Sequence, residues 1–171
     1  MKGSPVNKFQ LVGLTPAGLL DPSIAIAAGR AGGIGILNLD LTSDVAQARR
    51  AIARLVKYGG EHVGIRVDCS DLRVVEQLLA QLPEVVKLVI LTSSTPDDLT
   101  PLISMLHQQQ RQVWLEVNEV RQVRQDVDGL IAKGNEAGGW IGEDTTSILL
   151  QRLLSQYNLC LLYTSPSPRD S

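Results

Sequence analysis

The sequence predicts an α/β fold built from six consecutive βα units. Three observations carry this. Short runs rich in Val, Ile and Leu recur about every 25 residues, stretches with helical spacing lie between them, and cap residues punctuate those stretches. Runs of this kind are apolar without strict alternation, which suits strands covered on both faces, as parallel strands are. Two architectures share the pattern: an open doubly wound sheet, and the N-terminal six units of a (β/α)8 barrel cut before strands seven and eight. The strand-to-strand spacing places the barrel slightly ahead.

The elements follow in order. Strands are expected at 9–14 (FQLVGL), 34–39 (IGILNL), 62–67 (HVGIRV), 86–91 (VKLVIL), 112–117 (QVWLEV) and 128–132 (DGLIA). Helices are expected at 22–30, 43–58, 72–82, 96–110, a short piece at 119–125, and 144–156. Ser43, Asp71 and Thr95 stand at N-cap positions, and Pro96 follows Thr95 at the first helical position. Asp21-Pro22 makes a similar start for the first helix, and Gly59-Gly60 ends the second as a C-cap does. Residues 157–162 (YNLCLL) have the composition of a seventh strand, but they run into LYTSPSPRDS. That Ser/Pro/Arg ending resembles translated adaptor sequence. Residues 1–159 are therefore expected to form the domain and 160–171 a non-native or disordered tail.

Composition bounds the function classes. The 171 residues are 44% hydrophobic and 20% charged with a net charge of -2, which describes a globular domain and not a nucleic-acid or membrane surface. No apolar run approaches the ~20 residues of a membrane span. Cys69 and Cys160 form neither a metal spacing nor a disulfide framework, and a reduced, cytoplasmic setting is expected. With only 4% aromatics, the core must be aliphatic.

Two glycine clusters differ in context. AGRAGGIGIL at 28–37 follows a helix and enters a strand, the reverse of a dinucleotide fingerprint, so it reads as a helix end and tight turn. Gly35 lies inside the strand and permits close approach of a neighbour. GLIAKGNEAGGWIGED at 129–144 follows a strand, which puts its glycines at the strand's C-terminal end, where α/β folds place their sites. Backbone N–H groups of Gly134, Gly138 and Gly139 are candidates to meet a polar or anionic ligand. GLTPAG at 13–18, Asn38, Asp40, Asp68, Glu116 and Asn118 lie at the same ends of other strands, so a site is expected along that rim.

Three stretches together, GLTPAG, AAGRAGGIGILNLD and GLIAKGNEAGGWIG, resemble the nitronate monooxygenase (2-nitropropane dioxygenase) family and its relatives, the flavin-dependent enoyl-acyl-carrier-protein reductases. The resemblance spans about residues 9–159, and GLTPAGLLDPSIAIAAGRAGGIG is most similar to barrel segments of bacterial polyketide or polyunsaturated-fatty-acid synthases. It implies a TIM barrel, FMN as cofactor, and oxidation of a nitronate by dioxygen or hydride transfer from NAD(P)H to an enoyl thioester. It implies that Thr15, Pro16 and Ala17 lie against the flavin, that Asn38 is near it, that Lys133 meets the ring or the ribityl chain, and that the backbone of Ala137, Gly138 and Gly139 approaches it.

Two departures matter. The residue after E-A-G-G in active relatives is usually a histidine, whereas here it is Trp140, whose indole has no proton titrating near neutrality. The family's phosphate loops follow strands seven and eight and would lie beyond residue 159, so FMN binding by this chain is expected to be weak or absent. Small-molecule or acyl-thioester substrates, and neighbouring synthase domains, are the expected partners. A non-catalytic or specialised module of a polyketide-type synthase is the alternative, and an open α/β sheet binding a phosphate ligand a third.

Overall fold

A computed structural model describes residues 11–93, 99–137, 142–156 and, for the backbone, 161–163. Seven strands form one sheet in sequence order: β1 (Val12–Leu14), β2 (Ile34–Asn38), β3 (Val63–Asp68), β4 (Leu88–Thr92), β5 (Gln112–Val117), β6 (Gly129–Ala132) and β7 (Leu161–Tyr163). Every neighbouring pair is parallel. Helices α1 (Ser23–Arg30), α2 (Val45–Gly59), α3 (Leu72–Leu79), α4 (Thr100–Gln108) and α5 (Thr146–Gln156) alternate with the strands, and a 3-10 turn (Val120–Gln122) precedes β6. The curled sheet is the N-terminal part of a (β/α)8 barrel. The open doubly wound alternative is thereby set aside, because a strand order that never reverses has no switch point. Leu161–Tyr163 fall inside the expected tail, yet they pair with Leu130, Ile131 and Ala132. The apolar run continues past 159, and the open edge of β6 takes up its backbone hydrogen bonds. The rest of the expected tail lies outside the described residues.

The helices bury what their spacing predicts. Ala48, Ala51, Ile52 and Leu55 of α2, Val75, Leu78 and Leu79 of α3, and Leu102, Ile103 and Leu106 of α4 fall on single faces. They join Leu37, Ile65, Val89, Leu115 and Leu130 of the sheet in one core between sheet and helices. One cap assignment shifts by a residue. Asp44, not Ser43, caps α2 by accepting from the amides of Ala46 and Gln47, because a carboxylate is the stronger acceptor for those N–H groups. Asp71 caps α3, and Gly60 closes α2 at φ 79°. Thr95 and Pro96 lie outside the described residues. Gly32 takes φ 84° in the turn after α1, and a methyl on Gly35 would collide with the Ala25 carbonyl, so β2 and α1 touch backbone to backbone. Among the described residues no helix is long and apolar enough to cross a membrane.

Candidate functional site

Alternate strand residues face inward, away from the helices. Their lower positions are apolar: Ile36, Leu88 and Ile90 cluster with Val12, Ile34, Trp114 and Ile131. Gly129 makes room there, since a Cβ on it would stand 2.9 Å from the Trp114 ring. One step further along each strand the same period of two gives Asn38 on β2, Arg66 on β3, Glu116 on β5 and Lys133 just past β6. Asn38, Arg66 and Lys133 are each under a tenth exposed. The inward face is thus an apolar floor with a polar layer on it, at the C-terminal ends of the strands.

The layer is one connected network. The Arg66 guanidinium donates twice to Glu116, from Nε to Oε2 and from Nη2 to Oε1, both at 3.1 Å. Its Nη1 donates to Asp40 Oδ2 and, at 3.2 Å, to Asn38 Oδ1. Lys133 Nζ donates to Glu116 Oε1 at 3.0 Å. Two cations and two carboxylates therefore balance, as charges this deeply placed must. Thr15 ties the loop after β1 to the layer: its amide donates to the Ile36 carbonyl (3.0 Å), and its hydroxyl accepts from the Asn38 amide (2.9 Å). Two buried acceptors in this region, Asp40 Oδ1 and Asn118 Oδ1, have no donor among the described residues.

Thr15, Asn38 and Lys133 of the expected site are thus brought into one buried layer. Pro16 and Ala17 are exposed beside Thr15, and Ala137 is half-buried, its amide donating to the Gly134 carbonyl at 3.1 Å. Gly138, Gly139 and Trp140 lie outside the described residues. The expectation that Gly134 offers its N–H to a ligand is corrected, because that N–H donates to the Thr146 hydroxyl at 3.0 Å. A Cβ on Gly134 would run into the Thr146 amide, so this glycine serves contact with the start of α5. Glu136 completes the junction, accepting from the Thr146 amide at 2.9 and 3.0 Å. Hydrogen bonds from backbone amides hold its carboxyl below the ordinary range. Arg66 is the residue that sequence reasoning missed. It sits inside an apolar run, though the alternation Gly64, Arg66, Asp68 against Val63, Ile65, Val67 carries the signal.

Other reactive groups are silenced or distant. Cys69 is fully buried, and burial, with Asp68 adjacent, pushes its thiol up to about 12, so it is no nucleophile near neutrality. His107 pairs through Nε2 with Asp128 at 3.0 Å, on α4 and before β6, away from the layer. What remains chemically is a charge-balanced cradle whose spare capacity is for hydrogen-bond acceptance.

No protein-family model and no curated protein matches the chain. Solved structures do. A point variant of FabK from Thermotoga maritima superposes with a TM-score of 0.68 over 90% of this chain at 23% identity. A nitroalkane oxidase from Streptomyces ansochromogenes does so with a TM-score of 0.71 over 90% at 17% identity. This chain spans 53% and 58% of those two chains. At such identities the likeness is one of fold, and it matches the N-terminal part of the TIM barrel.

Proposed function

We propose that the polar layer on the inward face is part of an FMN site, in an oxidoreductase barrel of the nitronate monooxygenase and enoyl-reductase type. The observation that carries this reading is the convergence of Asn38, Arg66, Glu116 and Lys133, from four strands, on one buried layer where barrels hold their ligands. The E-A-G-G sequence that follows β6, and the fold shared with a nitroalkane oxidase, point the same way.

The residues fit a flavin in kind. Asp40 Oδ1 and Asn118 Oδ1 call for donors, and a flavin carries them in its ribityl hydroxyls and ring imide. The layer's balanced charge suits an uncharged part of the ligand, so ring or ribityl chain belongs here and the phosphate elsewhere. Lys133 and Arg66 would orient that part, Glu116 holds both cations in place, and Thr15 fixes the loop from which Pro16 and Ala17 reach the ligand. Bound FMN would supply two-electron redox chemistry toward a nitronate or an enoyl thioester.

The test is titration of the full chain with FMN and with riboflavin, followed by flavin fluorescence. Weak, saturable binding is expected, with the two ligands within about fivefold, the factor an exposed phosphate contact supplies at most. Asn38→Leu should weaken both alike. Tight, phosphate-dependent binding, or none in either case, would overturn the assignment.

A second reading rests on Trp140, which stands where active relatives of the resembling family carry histidine. In that reading the barrel is a ligand-binding module of a polyketide-type synthase without proton-transfer chemistry. Nitronate oxidation or enoyl reduction by the protein would exclude it. Flavin binding with neither activity would favour it.

A further inference from the structure

On the opposite face of the sheet, the helix layer leaves a cavity of about 320 Å³ between α2 and α3, within the size range of small-molecule pockets. None of Thr15, Asn38, Arg66, Glu116 and Lys133 lines it, although Asp68 at its mouth continues the inward alternation of β3. Its depth is apolar, formed by Leu39, Ala48, Val67 and Leu78, each no more than 5% exposed. Its mouth is polar, formed by Thr42, Asp68, Ser70 and Asp71.

The charge at the mouth has one sign. Among the described residues no Lys, Arg or His lines the cavity. Two helices begin beside it, and at each a capping carboxylate already takes two N–H groups of the first turn. Asp44 accepts from Ala46 and Gln47 at 2.9 and 3.0 Å, and Asp71 from Arg73 and Val74 at 3.1 and 3.3 Å. Asp68 Oδ1 accepts from the Ser70 amide at 3.0 Å. Arg73, two residues beyond Asp71, is 91% exposed and sits 3.9 Å from the Asp71 carboxylate. Leu41 stands at the lip, 84% exposed and in the left-handed backbone region at φ 61°. An apolar side chain in that conformation and that exposed gains most if an occupant covers it.

We propose that this cavity is a second small-molecule site, taking an aliphatic body in its depth and a cationic ammonium head at its carboxylate mouth. The proposal is independent of the flavin reading.

The probe is n-octylammonium, with octanoate as the charge-reversed control, added to the full chain while side-chain methyl resonances are followed by NMR. Octylammonium should shift the methyls of Leu39, Val67 and Leu78 saturably and leave those of Ile36 and Ile90 in place. Octanoate should bind at least about tenfold more weakly, since the mouth attracts one head and repels the other. Thr42→Trp, a substitution at the mouth that keeps its backbone N–H, should abolish the shifts with the circular dichroism unchanged. Asp68→Asn should reduce the preference for the amine by severalfold. Equal binding of octanoate, shifts that persist in Thr42→Trp, or no shift with octylammonium would each overturn the proposal.

Discussion

The two faces of the sheet are built from the same strands, one residue apart, and they obey different rules. Toward the helices, Leu37, Ile65, Val89, Leu115 and Leu130 are all apolar and at most 3% exposed. Toward the barrel interior, Ile36, Ile90, Trp114 and Ile131 give way to Asn38, Arg66, Glu116 and Lys133 at the strand ends. The first face maximises apolar burial and is the stability of the domain. The second buries charges that an apolar layer of equal volume would replace at no loss of stability. On the reading proposed above, that charged layer serves ligand contact.

The comparison can be broken by mutation. Glu116→Ala leaves Arg66 and Lys133 without their shared carboxylate and should destabilise the chain by about 3–5 kcal/mol in urea denaturation. Lys133→Met should cost only about 1 kcal/mol, because Glu116 keeps its two bonds to Arg66. Similar losses for the two variants would show that the network is not centred on Glu116. Next in size is the contrast between faces: Leu37→Ala should cost roughly 2–5 kcal/mol, and Ile131→Ala, on the half-exposed inner face, less than half as much. Equal losses would mean that the inner floor is as structural as the outer core.

Two smaller effects sharpen the account of the loop after β6. Gly134→Ala drives a methyl into the Thr146 amide and should cost about 1–3 kcal/mol, with amide exchange quickening first at the start of α5. A loss confined to ligand binding would restore Gly134 to the site. The smallest effect is the pH dependence of the same junction. Glu136 titrates below its ordinary value of 4.5 when folded, so its contribution is complete above that value and fades as pH falls through the lowered one. The protection factor of the Thr146 amide, its exchange relative to the intrinsic rate at the same pH, should fall on acidification in this range and stay level between pH 6 and 8. Glu136→Gln should flatten the response.

Much of this was legible beforehand, for physical reasons that also explain what was not. The βα alternation shows because every strand carries an apolar run and every helix one apolar face. The rim shows because Asn38, Asp40, Glu116 and Lys133 end their strands. Arg66 stays hidden because the apolar neighbours of a doubly covered strand mask the period of two. The role of Gly134 is set by Thr146, twelve residues on, whose approach depends on how α5 docks. Ser43 and Asp44 are adjacent cap formers, and only the geometry of the first turn chooses between them.

The central claim is that the inward polar layer is where a flavin is met. The most direct test is a map of backbone amide shifts of the isotopically labelled chain during FMN addition. The account predicts saturable changes at Thr15, Asn38, Lys133 and Ala137, reproduced by riboflavin, with Gly60 and Arg111 at the other end of the strands unmoved. Changes gathered at that other end, or no saturable change anywhere, would contradict it.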